Sequence, residues 1–121
     1  MAENTGYSAK AKFLLVSPSK VRRVANVVRR RPFPEAIAIL DHLPHKGAQM
    51  LGKVVRSAAA NAMYADKNLM EDMLYIKELR IDDGPRMKRI WRRGRGRADV
   101  LLKRMSHITV VVDEIAKAGV K

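Results

Sequence analysis

The hydrophobic positions of this chain change period several times, and each change marks an element. From Tyr7 to Val16 (YSAKAKFLLV) residues alternate, with Ala9, Ala11 and Phe13 on one parity and Lys10 and Lys12 on the other, which predicts a strand with one basic face. Ser17 and Pro18 read as a helix start: serine can cap, and proline suits a first turn where its missing N–H would have had no partner. Val21, Val24, Ala25 and Val28 then form one apolar stripe at i, i+3, i+4 and i+7, leaving Arg22, Arg23, Asn26, Arg29 and Arg30 on the opposite arc. Pro32 and Pro34 end that helix and start a short one from about Glu35 to Leu40, and His42 to His45 reads as a turn. From Lys46 to about Asp66 a stripe of Ala48, Leu51, Val55, Ala58, Ala62 and Ala65 predicts a longer helix. Its small side chains let it lie close against a sheet or the first helix, with Lys53, Arg56 and Asn61 facing outward.

Two strand-like stretches follow, Leu74 to Ile81 and Ser106 to Asp113. The second alternates cleanly through Ile108, Val110 and Val112. In the first, Leu74 and Ile76 share one parity but Leu79 and Ile81 the other, a slip that predicts a β-bulge near Lys77 and Glu78. Between them lies RMKRIWRRGRGRADVLLKRMSH, with its natural reversal at Gly94 to Gly96 and arms of about ten residues, roughly 30 Å long at strand rise. From Arg86 to Arg104 it carries nine lysines and arginines against one acid, Asp99. A two-stranded hairpin is marginal in water, and like charges across its ladder weaken it further. The expectation is an arm that is poorly ordered alone and becomes fixed when phosphates neutralise it.

Charge then changes the picture from fold to partner. A net charge of +13 on 121 residues points to a polyanion. Between Asn4 and Pro34 there are eight basic residues and no acid, so the two basic blocks predict two contact surfaces. A solvated helix face ordinarily mixes signs, and the first helix does not. Arginine forks match phosphate bidentately, so helix and arm both read as phosphate-contacting. The absence of cysteine excludes disulfides and thiolate metal sites, and no segment reads as a signal peptide or membrane span, so a cytoplasmic setting is expected.

Apparent catalytic motifs fail on context. GAQMLGK at 47–53 resembles a phosphate-binding loop, but Val54 stands where Ser or Thr would hold magnesium, and the stretch lies inside a helical pattern. GRGR at 94–97 is a turn. HLPH has no third ligand nearby, so no metal and no cofactor is expected. A nuclease using His107 with Lys103 or Arg104 lacks an accompanying acid–base arrangement. Trp91, the chain's one tryptophan, lies near the arm tip, far from a core, and reads as a partner contact through base stacking or exposure to a lumen.

Several stretches carry a recognisable pattern: SPSKVRRVANVVR at 17–29, SAAANA at 57–62, DDGPRMKRI at 82–90 and GRADVLLKRMSHITVVV at 96–112. In this order and spacing the chain resembles the universal large-subunit ribosomal protein family twenty-two, from about Ala9 to Asp113. The resemblance implies an α+β fold, three helices packed on a small antiparallel three-stranded sheet with a long protruding basic β-hairpin. It divides the single RNA-binding domain, 1–121, into a globular part at about 7–83 and 106–114, a hairpin at about 84–105 and a frayed tail at 115–121. It further implies binding and organising large-subunit ribosomal RNA, with neighbouring ribosomal proteins as partners. The hairpin tip would line the nascent-peptide exit tunnel and meet the nascent polypeptide.

The candidate RNA-binding residues in the globular part are Lys10, Lys12, Ser17, Lys20, Arg22, Arg23, Arg29, Arg30, Lys53 and Asn61, of which the resemblance places Lys20, Arg22 and Arg23 on the RNA-facing helix. In the arm it adds Arg86, Lys88, Arg89, Arg92, Arg93, Arg95, Arg97, Lys103, Arg104 and His107, with Ile90, Trp91, Arg92, Arg93, Gly94 and Arg95 at the tunnel-lining tip. The chain departs from the family where Arg92, Arg93, Gly94 replace a common Pro, Arg, Ala, and where Arg30 replaces a glycine that usually ends the first helix. The expected function is structural and non-enzymatic. A DNA-bending architectural protein is the rival reading, since such proteins also use basic β-arms, often with an apolar wedge at the tip.

Overall fold

A computed structural model describes residues 6–92, 94–96 and 98–115. In chain order the elements are β1 (Tyr7–Leu14), α1 (Pro18–Val28), α2 (Phe33–His42), α3 (Lys46–Ala65), a 3-10 turn (Glu71–Met73), β2 (Leu74–Arg92) and β3 (Ala98–Glu114). The fold is α+β, three helices on a three-stranded antiparallel sheet of order β1-β3-β2, so the last strand in sequence is the middle one in space.

The helix stripes read from the sequence form the core. Val21, Val24, Ala25 and Val28 of α1 are all buried, as are Ala48, Leu51, Val55, Ala58 and Ala62 of α3. Ala65 is exposed, because the helix ends there and has left the sheet behind. From the sheet, Ile76, Ile108, Val110 and Val112 are wholly buried against α3 and α1. Burying a side chain of this size stabilises the fold by about 1.5–3 kcal/mol. The second helix begins two residues earlier than expected, at Phe33, whose ring is buried, and Pro34 occupies its first turn.

Ser17 does stand at the N-cap of α1 in extended conformation, but its hydroxyl does not cap. The hydroxyl pairs with Ser19 Oγ at 3.1 Å, and the Ser17 carbonyl accepts the Lys20 and Val21 N–H groups instead. The helix ends in a tight turn in which Arg31 N–H donates to the Val28 carbonyl and Arg30 sits at φ +64°. That left-handed position is one that favours glycine. A side chain there costs about 1–2 kcal/mol.

Three bulges interrupt the ladders, all on the strands flanking β3. The first lies between Ile76 and Glu78, as the parity slip predicts, and lets Leu74, Ile76, Leu79 and Ile81 all reach the core. The second sets Gly84 and Pro85 against Met105 alone, between the pairs Asp83–Ser106 and Arg86–Arg104. A Cβ on Gly84 would meet Met105 Cβ at 3.0 Å and its backbone at 3.1 Å, so a side chain there would fit only if the facing strand gave way by a few tenths of an ångström. The third overturns an expectation in β1: the register shifts between Ala11 and Leu14, Phe13 adopts φ +60°, and its ring is exposed rather than aligned with Ala9. Leu14 takes over the inward position and packs on the core.

Beyond the Gly84–Pro85 bulge β1 has ended, and β2 pairs with β3 alone from Arg86–Arg104 to Arg92–Ala98. Residues 84–105 are termed the arm and the remainder the base. At the reversal the sequence singles out two glycines, but the left-handed residues are Arg95 at φ +62° and Gly96 at φ +72°. Gly94 is not among them.

A cationic cleft at the base of the arm

Helix α1 presents its basic arc to two different partners. Arg22 and Arg29, seven residues apart on one face, lie along the outer edge of β2. Arg22 donates to the Ile81 carbonyl through Nη2 at 2.8 Å and Nε at 3.2 Å, and Arg29 Nη2 donates to the Leu79 carbonyl at 2.8 Å. Arg22 also stands 3.6 Å from Asp83, and Arg29 bonds Asn26 Oδ1 at 2.6 Å. Further along the same edge, Ile76 N–H donates to the Arg31 carbonyl at 3.0 Å, and Pro32 bridges Tyr75. An edge strand offers unpaired carbonyls to any passing strand, and here arginine forks cover them. Both residues were expected as phosphate ligands. The structure gives them an intramolecular task as well, while their side chains stay largely exposed.

Lys20 and Arg23, on the neighbouring part of the arc, face a cleft of about 980 Å³. Its walls are Leu15, Val16 and Ser17 before α1, Lys20 and Arg23 of α1, His45, Lys46 and Gly47 at the start of α3, and Leu102, Lys103 and Arg104 of the arm. The two basic blocks, separate in sequence, therefore meet in one place. Lys20, Arg23, Lys46, Lys103 and Arg104 converge there, with no carboxylate among the described lining residues. Neither α1 nor α3 has a side-chain cap on its N-terminus, so first-turn N–H groups add positive potential of the same sign. Such a cleft suits a chain of phosphates, and its volume far exceeds that of a single ion. Where the blocks meet, the wholly buried Ser106 donates its Oγ hydrogen to the Val16 carbonyl at 2.6 Å.

The arm repeats the charge with Asp99 as its one acid. Arg86 and Arg104 are direct cross-strand partners, Met87 faces Lys103, and Lys88 faces Leu102. All six of these side chains are exposed. Arg89, Trp91 and Arg92 belong to β2 by backbone register, Trp91 opposite Asp99 and Arg92 opposite Ala98. Ile90 is 72% exposed, and Gly94 and Arg95 are exposed at the reversal. Arg93, Arg97 and the tail from 116 lie outside the described residues.

The remaining expected residues spread over other surfaces. Lys10 and Lys12 are exposed on β1, and Arg30 and Lys53 are exposed at the end of α1 and along α3. Asn61 Nδ2 donates to the Ser8 carbonyl at 2.9 Å, covering the outer edge of β1 as the arginines cover β2. His107 Nδ1 accepts the Phe13 N–H at 3.1 Å. The loop-like motif at 47–53 lies within the α3 helix, and no group of three metal-ligating side chains occurs among the described residues. No described helix is long and apolar enough to cross a membrane. Sequence reasoning missed Lys46 and His45, whose one available signal was their place at a helix start.

A family model, Ribosomal protein L22p/L17e, matches residues 9–113. The chain belongs to this family. Among similar proteins, a large ribosomal subunit protein uL22 from Treponema denticola is 63% identical over 116 residues, covering 96% of this chain and 98% of the relative. Proteins of the same name from Treponema pallidum and Borrelia recurrentis are 59% and 54% identical, over 94% and 98% of this chain and 92% and 99% of theirs. Members of this ribosomal family are structural, non-enzymatic proteins, which fits a basic cleft and arm better than any reaction centre.

Proposed function

We propose that this chain, a constituent of the large ribosomal subunit in the cytoplasm like the relatives it matches, binds and organises large-subunit ribosomal RNA, seating one phosphate backbone in the cleft and threading the arm between RNA segments. The observation that carries this reading is the convergence of Lys20, Arg23, Lys46, Lys103 and Arg104 on one cleft from three parts of the chain. RNA phosphates also supply counter-charge along the arm, where Arg86 and Arg104 are direct cross-strand partners. The base contacts RNA and neighbouring ribosomal proteins, and the tip, including Ile90, Trp91 and Gly94, lines the nascent-peptide exit tunnel.

Binding of the full chain to a large-subunit ribosomal RNA transcript across a salt series tests the RNA reading. If about seven arm cations each meet a phosphate, the arm alone contributes a log–log slope of roughly −5 to −6. A slope near −1, or equal affinity for plain duplex DNA, overturns it. The tunnel assignment is tested separately. The chain has no cysteine, and a Cβ added at Gly94 meets nothing within 4 Å, so Gly94→Cys gives one placed thiol. Cross-linking from it to a nascent chain on assembled ribosomes is expected, and its absence removes the tunnel role.

A further inference from the structure

The bulge in β1 turns a large apolar ring outward for which the base has no use. Lys12 and Phe13 together oppose the single residue His107, and Phe13 is 59% exposed although the two residues before the bulge with its parity, Ala9 and Ala11, point toward the core. The arrangement is nonetheless fixed. The Phe13 N–H donates to His107 Nδ1 at 3.1 Å, and the two rings meet edge to face, centroids 5.0 Å apart at 85°. Because Nδ1 accepts, the imidazole proton lies on Nε2 and is available as a donor.

The surroundings decide what such a ring can take. His107 alternates with the buried Ser106 and Ile108, so it lies on the sheet face away from the helices, beside Thr109. Thr109 is flanked in register by Lys10 on β1 and Arg80 on β2, and Lys12 adjoins the ring in sequence. Asp82 is the direct cross-strand partner of His107 and is exposed. A carboxylate there disfavours a phosphate beside the rings, whereas the cations on either side favour phosphates a short step away. That pattern of an open π-face with a donor, cations at its margins and none at its centre is what an unstacked nucleobase requires.

We infer that Phe13, held by His107, is a stacking platform for one unpaired base of the RNA, on the face of the sheet opposite the cleft. The inference rests on the RNA-binding reading above and names one further contact within it. The test uses the full chain and a large-subunit ribosomal RNA transcript at fixed salt. Phe13→Ala is expected to weaken binding about tenfold or more, the range of one lost base–aromatic stack, without changing the salt slope, since no charge is removed. Phe13→Trp keeps a ring and is expected to bind within about twofold of the parent. Phe13→Gly is freed from the left-handed constraint, so it should melt no lower than the parent while losing the same affinity as Phe13→Ala.

If the parent chain binds and Phe13→Ala binds equally well, the platform is wrong and the RNA reading stands. Normal RNA binding by Phe13→Ala combined with failure to join large subunits would place the ring on a neighbouring protein, and also overturns the platform. Failure of the parent itself to bind RNA would sink the broader reading instead.

Discussion

The base and the arm are built from the same two strands, β2 and β3, yet they are held by opposite means. In the base, the ladder is backed by α1 and α3, a third strand lies alongside, and Ile76, Ile108, Val110 and Val112 lose all contact with water. Past Gly84 and Pro85 the ladder continues with the same antiparallel register logic, but with no third strand and with arginine facing arginine at its first pair. Hydrogen-bond ladders contribute little net stability by themselves, so what covers the faces decides whether a strand pair is self-sufficient. The base carries its covering layer in its own sequence. On the proposed function, the arm takes its covering layer from RNA.

The comparison can be pressed hardest at the arm's cations. Replacing Arg86, Lys88, Lys103 and Arg104 together by glutamine should reduce the salt slope of RNA binding by about three and weaken binding near 0.1 M salt about a thousandfold, roughly 4 kcal/mol. Urea unfolding of the same variant should show a base no less stable than before; a large loss of stability would mean that arm and base are one unit. Ile108→Ala attacks the other side. A wholly buried residue of the central strand, it should cost about 2–5 kcal/mol of unfolding free energy, read by urea titration, with the salt slope of the folded protein unchanged.

Smaller effects sharpen the boundary. Arg29→Ala removes a charged donor from the β2 edge, and because its side chain is largely exposed the loss should be only about 1 kcal/mol. Hydrogen exchange should show the matching local change, faster exchange near Leu79 rather than throughout the sheet. Smallest is Arg30→Gly, which relieves φ +64° and should raise stability by up to about 1 kcal/mol in a thermal melt. No gain there would mean that the Arg30 side chain makes up for its backbone.

Much of the base was legible because its signals are local. The α1 stripe has an unbroken helical period, and the slip between Ile76 and Leu79 can only be absorbed by an extra residue, so both helix face and bulge follow from spacing. The β1 bulge was hidden because Phe13 is apolar and continues the alternation; nothing in the residue's character announces that it faces water. The cleft was hidden for a different reason. Lys46 and Arg104 are 58 positions apart, from 104 less 46, and only packing brings them together. Arg22 and Arg29 show the converse limit, since a cation on a helix arc reads the same whether it awaits a phosphate or already binds the carbonyls of a neighbouring strand.

The middle position of β3 has a consequence for how the protein is made. Every strand pairing in the sheet includes β3, and Leu14 waits for Ser106, its partner about 90 residues later. At synthesis rates of ~5–20 residues per second that is a delay of about 5–20 s. Throughout it β1 has no strand to join, while the basic helix α1 is translated early and β2 and the arm only near its end. The growing chain thus carries the charge of its first basic block before it can close its core. If that block binds RNA as proposed, folding and capture by nucleic acid compete from the first basic block onward.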